Sequence, residues 1–322
     1  MRRAGIIGLG SMGLNHARVL SQIQEVEEIL VLEPNAETLV PKYCNRVQSF
    51  ESLVSEKPDF VIIATPSQTH LEVARELLDQ GIPILVEKPV AGTLSDAREL
   101  LTHSAQLQNP IIGVGHVERF NPALIELKKR LSTGVVGEVI SVSTVRRGPS
   151  PARFIDTGVT TDLGVHDVDV ARWLTNSDYQ KLHAFGSYSH ERSREELIRV
   201  SGRMTNGVIV DHSIDWLTPV KVRQVTVLGS EGMLTADLLT ADLTFYGQAE
   251  FDINWEEIAQ LRGGAEGIIT RYALRKVEPL RSELEAMFAR VDGLPSEPLA
   301  TIQDGVVALE VVEEIVSQLQ PA

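Results

Sequence analysis

One dense group of ionisable side chains runs from Asp162 to Asp169 and reads DLGVHDVD. On a helix, Asp162 and His166 lie one turn apart on one face, and Asp169 is within reach of the same imidazole. A carboxylate beside a histidine fixes the ring tautomer and raises its basicity, which suits general acid–base catalysis. Two other interpretations stay open: Asp162 as a helix N-cap above a packed histidine, or a metal site, for which no third His or Cys has matching spacing.

The N-terminal stretch GIIGLGSMG places glycines 8, 10 and 13 in GxGxxG spacing after an apolar run and before a helix-like segment. This order predicts a tight strand-to-helix turn whose helix N-terminus receives a pyrophosphate. A second apolar run ends in Glu33, which is placed to accept hydrogen bonds from the adenosine ribose. The other interpretation is a glycine turn in some other α/β protein, with Glu33 a surface acid.

Glu33 also bears on the choice between the two nicotinamide dinucleotides. Its carboxylate would repel a ribose 2′-phosphate, and Pro34 and Asn35 follow it without a neutralising base. Lys42 is the nearest base and lies further along the chain. The sequence therefore predicts NAD in preference to NADP.

Lys88 follows the apolar run 82–86 in the sequence VEKPV. A lysine before a turn proline is ordinarily solvated. At the end of a parallel strand it would open beside the nicotinamide, where partial desolvation could bring it into proton exchange near neutrality. Lys88 is therefore a second candidate for acid–base chemistry.

Two kinds of hydrophobic pattern divide the chain. Residues 1–116 alternate apolar strands with helical segments, which predicts a parallel sheet covered by helices. From 117 to 300, alternating strands and hairpin turns such as Thr205-Asn206-Gly207 predict an antiparallel sheet. Residues 301–322 are predicted to form a last helix that packs back on the first domain.

Composition limits the classes of function. The chain has 322 residues, one cysteine (Cys44) and a net charge of −14, so it has no intramolecular disulfide, and nucleic acid or anionic membrane is not expected as a partner. No segment approaches about 18 uninterrupted apolar residues, the length of a membrane helix. We expect a cytoplasmic protein with a small-molecule substrate and no metal.

The ordered motifs GLGSMG, ATPSQTH, VEKP and DLGVHDVD resemble those of the glucose–fructose oxidoreductase / inositol dehydrogenase / MocA (Gfo/Idh/MocA) family. The resemblance extends over essentially the whole chain, including VEPLRSELEAMF. It implies an α/β Rossmann domain plus an α+β domain with an open-faced, mainly antiparallel sheet. It also implies hydride transfer between a nicotinamide and a sugar or cyclitol carbon.

The same resemblance implies individual roles. His166 would take the hydroxyl proton, Asp162 would orient it, and Lys88 would hydrogen-bond the same oxygen, with the roles of Lys88 and His166 interchangeable. The residues implied to contact the dinucleotide are Gly8, Gly10, Ser11, Met12, Gly13, Glu33, Thr65, Pro66, Ser67, His70, Glu87 and Lys88.

The segments GHVERFNPAL and RRGPSPARFIDTGVTTDLGVHDVD are similar to members assigned as UDP-N-acetylglucosamine 3-dehydrogenases. This narrower resemblance implies a nucleotide-sugar substrate oxidised at its 3-position. The residues expected at that substrate are Arg119, Asn121, Arg146, Arg147, Arg153, Asp162 and His166. The arginines would form a basic cluster for a pyrophosphate, or would pair with the many carboxylates of the chain.

The sequence thus predicts an NAD-dependent oxidoreductase acting on a secondary hydroxyl of a sugar, with a nucleotide sugar preferred. The alternatives are an inositol or free-sugar dehydrogenase, an NAD-dependent glycosidase, and a non-catalytic dinucleotide-binding regulator. An open sheet face needs a cover, which predicts a homo-oligomer, a dimer or a tetramer.

Overall fold

The computed structural model describes residues 2–150, 158–188, 194–248 and 267–319. The chain divides into two compact units. Unit 1 comprises Met1–Phe120 and Val277–Glu314, and unit 2 comprises Asn121–Lys276 and Ile315–Ala322.

The strands of the described residues are β1 (Arg2–Ile7), β2 (Val26–Leu32), β3 (Asn45–Arg46), β4 (Phe60–Ile63), β5 (Ile84–Glu87), β6 (Ile112–Gly115), β7 (Val139–Pro149), β8 (Tyr179–Tyr188), β9 (Glu195–Met204), β10 (Ile209–Asp215), β11 (Leu217–Gly229), β12 (Gly232–Asp237), β13 (Asp242–Gly247) and β14 (Ile269–Tyr272). The α-helices are α1 (Ser11–Leu20), α2 (Phe50–Ser55), α3 (His70–Asp79), α4 (Leu94–Gln106), α5 (Pro122–Ser132), α6 (Val165–Thr175), α7 (Pro279–Val291) and α8 (Ile302–Gln318).

Unit 1 is built on a parallel sheet in the order β3-β2-β1-β4-β5-β6. Strands β4 and β5 are buried along their whole length, as expected for a sheet that helices cover on both faces. Leu53, Leu77 and Leu100 of α2, α3 and α4 belong to one apolar core, and α1 and α7 belong to the other. Ligands bind such sheets at the carboxyl ends of the strands, where the strand order reverses between β1 and β4.

The division of the chain differs from the predicted boundaries. Residues 277–300, predicted in the second domain, pack with unit 1 because Leu284 and Phe288 of α7 share a core with Ile6 and Phe60. The rings of Phe60 and Phe288 meet edge to face, with centroids 4.8 Å apart. Helix α8 contributes Val306 to the unit 1 core, while its last residues are assigned to unit 2.

Unit 2 is built on a sheet in the order β14-β13-β12-β11-β7-β10-β9-β8. The pairing of β10 with β7 is parallel, and the other pairs are antiparallel. Helices α5 and α6 share a core with one face of this sheet. The predicted fold class, an α/β Rossmann domain plus an α+β domain with a mainly antiparallel sheet, is confirmed.

The opposite face of the unit 2 sheet carries exposed apolar side chains. Because side chains alternate along a strand, Val142 and Thr144 of β7 point to the helix-covered face and Ser143 to the other. The strand pairings place Phe185 and Tyr246 on the face of Ser143, and Phe185 is 75% exposed. Within the described ranges, no helix has the length and apolar character needed to cross a membrane.

Candidate functional site

The loop between β1 and α1 needs glycine at two positions for reasons inside the protein. Gly8 has a φ of +91°, and a Cβ there would lie 2.8 Å from the carbonyl oxygen of Ala64. A Cβ on Gly13 would lie 2.0 Å from the carbonyl oxygen of Gly8. Both requirements match the tight turn and close helix packing that the glycine spacing predicts.

Gly10 has a different environment, because a Cβ there would meet no protein atom within 4 Å. Gly10 is the N-cap of α1 and supplies no side-chain cap. The N–H groups of Ser11, Met12 and Gly13 in the first turn have no partner within the helix. Together with the positive end of the helix dipole, they form a cradle for an anionic group.

Glu33, at the end of β2, is held by the backbone on both sides of its carboxylate. Its Oε2 accepts the N–H of Leu9 at 2.7 Å, and its Oε1 accepts the N–H of Asn35 at 2.9 Å. A carboxylate offers about four acceptor positions, so this one can still accept two hydroxyls. The geometry suits recognition of a ribose diol.

A cavity of about 600 Å³ lies at the carboxyl ends of β1, β2 and β4. Its walls combine Gly10 and Glu33 with Thr65, Pro66 and the apolar side chain of Phe50. A nicotinamide dinucleotide would fit this set of groups, with its phosphates at the first turn of α1, its ribose hydroxyls near Glu33 and its adenine against the apolar wall.

His70, predicted to contact the dinucleotide, is buried within unit 1. Its ring nitrogens lie 2.9 Å from the carbonyl oxygen of Thr65 and 3.0 Å from that of Pro89. Burial lowers the pKa of His70 more than its carbonyl partners and Glu87 raise it. His70 therefore lies between the loop after β4 and the loop after β5, and its neutral ring donates one N–H to one of the two carbonyl oxygens. Ser67 begins the 3₁₀ turn that leads into α3.

Glu87, also predicted at the dinucleotide, is buried at the end of β5. Its Oε1 lies 2.7 Å from Nε2 of His16 on α1, and its Oε2 accepts the backbone N–H of Lys88 at 3.2 Å. Burial raises the pKa of Glu87, but the hydrogen bond with His16 and the charges of His16 and Lys88 bring it below the ordinary value. Glu87 thus fixes the backbone of Lys88, whose side chain is half-buried.

In unit 2, Asp162 and His166 lie on one continuous helical segment with a widened start. Thr160–Gly164 is a π-helical turn, and α6 follows directly from Val165. Both side chains are half-buried. The sequence predicted a helix here but not the π turn, a feature that is frequent at functional sites.

A buried carboxylate holds the start of this π turn. Oε1 of Glu195, on β9, accepts the backbone N–H of Thr160 at 3.1 Å. A side chain at position 158 would displace this carboxylate, because a Cβ there would lie 2.0 Å from the same oxygen of Glu195. The strand β9 therefore fixes the point at which the segment carrying Asp162 begins.

An ion pair ties α6 to the sheet beside His166. Nε of Arg146 on β7 donates to Oδ1 of Asp167 at 2.9 Å, and the two residues are 3% and 1% exposed. Such a pair is costly to break, because the partner that remains would keep a buried charge and lose the opposite charge beside it.

Beneath α6, a chain of hydrogen bonds links three strands and is buried at Thr144 and His212 and half-buried at Tyr179. The hydroxyl of Tyr179 lies 2.6 Å from Nε2 of His212, and Oγ1 of Thr144 lies 2.8 Å from its Nδ1. Burial lowers the pKa of His212 to about 4, so its imidazole is neutral at pH 7. Burial also raises the pKa of Tyr179, as do the charges of Asp167 and Asp169. Asp169 thus lies, buried, in this polar layer.

Arg146 and Arg147, both predicted at the substrate, are adjacent on β7 and point to opposite faces of the sheet. Arg146 pairs with Asp167 on the helix-covered face. Nε of Arg147 donates to Oγ of Ser213 at 3.0 Å on the other face. These two arginines therefore do not form one basic cluster.

The other predicted substrate residues are accounted for separately. Arg119, in unit 1, is buried and lies 3.4 Å from the carboxylate of Asp304. Asn121 caps α5 and donates to the carbonyl oxygen of Leu238 at 3.0 Å. Arg153 lies outside the described residues.

Two family models match the chain in succession. Residues 2–116 match the model described as "Oxidoreductase family, NAD-binding Rossmann fold", and residues 124–235 match the "GFO/IDH/MocA C-terminal domain". The chain belongs to the Gfo/Idh/MocA oxidoreductase family. The predicted family resemblance is confirmed.

The proteins to which this chain is similar carry different names. An inositol 2-dehydrogenase of Corynebacterium glutamicum is 28% identical over 221 residues, and the match covers 65% of each chain. The structure of UDP-N-acetylglucosamine 3-dehydrogenase GnnA from Acidithiobacillus ferrooxidans is similar with a TM-score of 0.84 and 21% identity, covering 99% of this chain and 97% of that one. GenD2 from gentamicin A biosynthesis, solved in complex with NAD, has a TM-score of 0.76 at 22% identity, covering 98% and 93%. At these identities the two structures show the fold alone.

Several residues of this family member were not found from its sequence. His16 lies on the buried side of α1, where a lone histidine is ordinarily a packed core residue. Glu195 lies 35 residues after Thr160 in the chain. Its only signal in the sequence is the pair of acidic residues, Glu195-Glu196, at the start of an apolar strand. His212 lies within a strand and carries no motif.

Proposed function

We propose that this protein is an NAD-dependent oxidoreductase acting on a secondary hydroxyl of a sugar or cyclitol. The observation that carries the proposal is the glycine loop, in which Gly8 and Gly13 are required by the protein and Gly10 is open. An open glycine at a helix N-terminus, with Glu33 beside it, is the arrangement a dinucleotide requires.

The proposed chemistry removes a hydride from the sugar carbon and a proton from its hydroxyl, which leaves a ketone. The nicotinamide, when bound, supplies the hydride acceptor, and in the reverse direction the donor. His166 accepts the hydroxyl proton, and Asp162 orients its ring. Lys88 hydrogen-bonds the same oxygen and stabilises the negative charge that develops on it, or exchanges roles with His166.

The proposed preference for NAD over NADP rests on Glu33. Two backbone N–H groups hold its carboxylate in place, so it cannot swing away from a 2′-phosphate without losing both hydrogen bonds. Glu33→Ser is expected to narrow the preference, because it removes the repelling charge. Tighter binding of NADP than of NAD by the unmodified protein would count against this part of the proposal.

Two classes of substrate are candidates for the proposed reaction. A nucleotide sugar such as UDP-N-acetylglucosamine, oxidised at its 3-position, is supported by the sequence segments around Arg119 and Arg147. An inositol or free sugar is supported by the relatives named inositol 2-dehydrogenase and by the burial of Arg119 and Arg146 in ion pairs. Because Arg146 and Asp167 are buried together, Arg146 does not present its charge to a ligand without breaking that pair.

The experiment that tests the function is an absorbance assay for reduced nicotinamide with inositols, free sugars and nucleotide sugars. Turnover of the nucleotide sugar alone, weakened by salt, would select the first candidate. Equal turnover of an inositol or free sugar would select the second. Release of a sugar without net reduced cofactor would identify a glycosidase, and dinucleotide binding without turnover would identify a regulator.

We also propose that the exposed face of the unit 2 sheet is covered by a second copy of the chain. Phe185, Leu228, Tyr246 and Ile269 lie on this face, and their exposure in one copy is costly in water. Phe185→Asp is expected to shift the molecular mass measured by light scattering toward the monomer. A wild-type protein that is already monomeric would rule this interface out.

A further inference from the structure

Arg46, the last residue of β3, binds the loop that follows Glu33 through an unusual number of contacts. Its Nη2 donates to the carbonyl oxygens of Glu33 at 3.0 Å and Asn35 at 2.6 Å. Its Nη1 donates to those of Ala36 at 3.2 Å and Thr38 at 3.5 Å. All four terminal N–H groups of one guanidinium are thus directed at the backbone of residues 33–38.

This loop has little other support. Residues 33–38 form no helix or strand, and their internal hydrogen bonds are short-range, such as that from the N–H of Glu37 to Oδ1 of Asn35 at 3.0 Å. Four carbonyl oxygens that converge on one cation make a strong tie, because hydrogen bonds to a charged donor are about twice as strong as neutral ones. Without Arg46, these carbonyls would return to water and the loop would gain conformational freedom.

The same loop sets the position of the Glu33 carboxylate. Oε1 of Glu33 accepts the N–H of Asn35, and the carbonyl group of that same Asn35 accepts from Arg46. Arg46 therefore supports the contact at Oε1 of Glu33 by holding Asn35, while the N–H of Leu9 in the glycine loop holds Oε2.

We propose that Arg46 is a positioning residue for the adenosine ribose and, through Glu33, a determinant of the preference for NAD over NADP. The inference rests on the proposed binding of NAD. Although Arg46 is a base close to the ribose site, its terminal donors are engaged by the loop. It therefore enforces NAD specificity by holding Glu33, and does not offer a site to a 2′-phosphate.

The test measures Kd for NAD and for NADP by isothermal titration calorimetry on the intact chain. Arg46→Gln is expected to raise Kd for NAD about tenfold, the equivalent of one charged hydrogen-bonding contact, and Kd for NADP by less than about threefold. Arg46→Lys keeps the charge but not the planar fork and is expected to fall between the wild type and Arg46→Gln. Lys42→Gln, an exposed base in the same stretch, is the matched control and should leave both constants unchanged.

A double-mutant cycle separates positioning from a merely structural role. If Arg46 acts through Glu33, then adding Arg46→Gln to Glu33→Ser should cost NAD affinity less than about threefold, because the carboxylate to be positioned is gone. Melting temperatures without ligand establish that each variant is folded. Arg46→Gln with an unchanged ratio of the two Kd values would overturn the inference, whether affinity is retained or lost equally. Failure of the wild type to bind either dinucleotide would overturn the proposed function as well.

Discussion

The two units hold their candidate site residues by different means. In unit 1, the groups that would contact the dinucleotide are backbone N–H groups and one carboxylate. Three glycines within six residues determine the geometry of the N–H groups, and the backbone of Leu9 and Asn35 holds the carboxylate. In unit 2, Asp162 and His166 lie on a helix fixed by side chains from distant strands: Glu195 on β9 and Arg146 on β7. A site made of backbone is recognisable from spacing, whereas a site held by long-range pairs depends on the register of a whole sheet.

The largest expected effect is on stability, and it distinguishes alanine substitutions at two glycines of the same loop. Gly13→Ala places a Cβ 2.0 Å from a backbone oxygen, so we expect the free energy of unfolding to fall by about 4 kcal/mol or more. Gly10→Ala meets no protein atom, so stability should change by less than about 1 kcal/mol. Urea denaturation measures both.

Gly10→Ala should nevertheless weaken NAD binding, measured by calorimetry, because the methyl group enters the cradle for the phosphates. Unchanged NAD affinity in Gly10→Ala would show that the open space at this loop is not where the dinucleotide binds. Equal destabilisation by both alanines would contradict the distinction between internal and ligand-directed glycines.

The difference between the two units also explains which structural features could be predicted from the sequence. The glycine loop, Glu33 and the alternation of strands and helices in unit 1 were predictable, because each is encoded in residues close together in the chain. Glu195 and His16 were not, since their partners Thr160 and Glu87 are 35 and 71 residues away. The separation of Arg146 and Arg147 was not predicted either: they are neighbours in sequence, but alternation along β7 directs them to opposite faces of the sheet.

The next prediction concerns the ion pair between Arg146 and Asp167, which links β7 to α6 in unit 2. Arg146→Met leaves Asp167 as a buried charge without its partner, so the free energy of unfolding should fall by about 3–5 kcal/mol. The double variant Arg146→Met with Asp167→Leu should recover most of this loss, because the uncompensated charge is removed. Chemical denaturation of both variants checks the prediction. A double variant no more stable than Arg146→Met would show that the pair is not the source of the effect.

A smaller effect is expected at the proposed catalytic groups. Lys88→Ala and His166→Ala should each lower turnover by about 100-fold, equivalent to about 2.7 kcal/mol, with NAD affinity changed only a few-fold. Steady-state kinetics with calorimetry measures the two quantities separately. The exposed residues Lys42 and His183 provide matched alanine controls, which should retain normal turnover. Near-normal turnover in Lys88→Ala and His166→Ala would return both residues to purely structural roles.

The smallest effect concerns the polar layer beneath α6 and its dependence on pH. Burial lowers the pKa of His212 to about 4 from an ordinary value of 6.5, so the unfolded chain binds a proton before the folded one does. Stability from this group is therefore complete above pH 6.5 and is lost as the pH falls toward 4. Between pH 6.5 and 5 the wild type should lose about 2 kcal/mol more than His212→Gln. Parallel pH profiles of the free energy of unfolding would contradict the assignment of a neutral, buried imidazole.

The contact between His16 and Glu87 has a consequence for recombination of this fold. The glycine loop and α1 look like a cassette that could be exchanged between dinucleotide-binding proteins, yet α1 also carries the partner of the carboxylate that precedes Lys88. A chimera that imports residues 1–25 without a histidine at position 16 would leave Oε1 of the buried Glu87 without the hydrogen bond that His16 supplies. The glycine loop and α1 are therefore transferable only together with the end of β5. A library can vary positions 16 and 87 independently and be selected for folding. The selected variants should be enriched in pairs that place a base against an acid, or in pairs that contain neither.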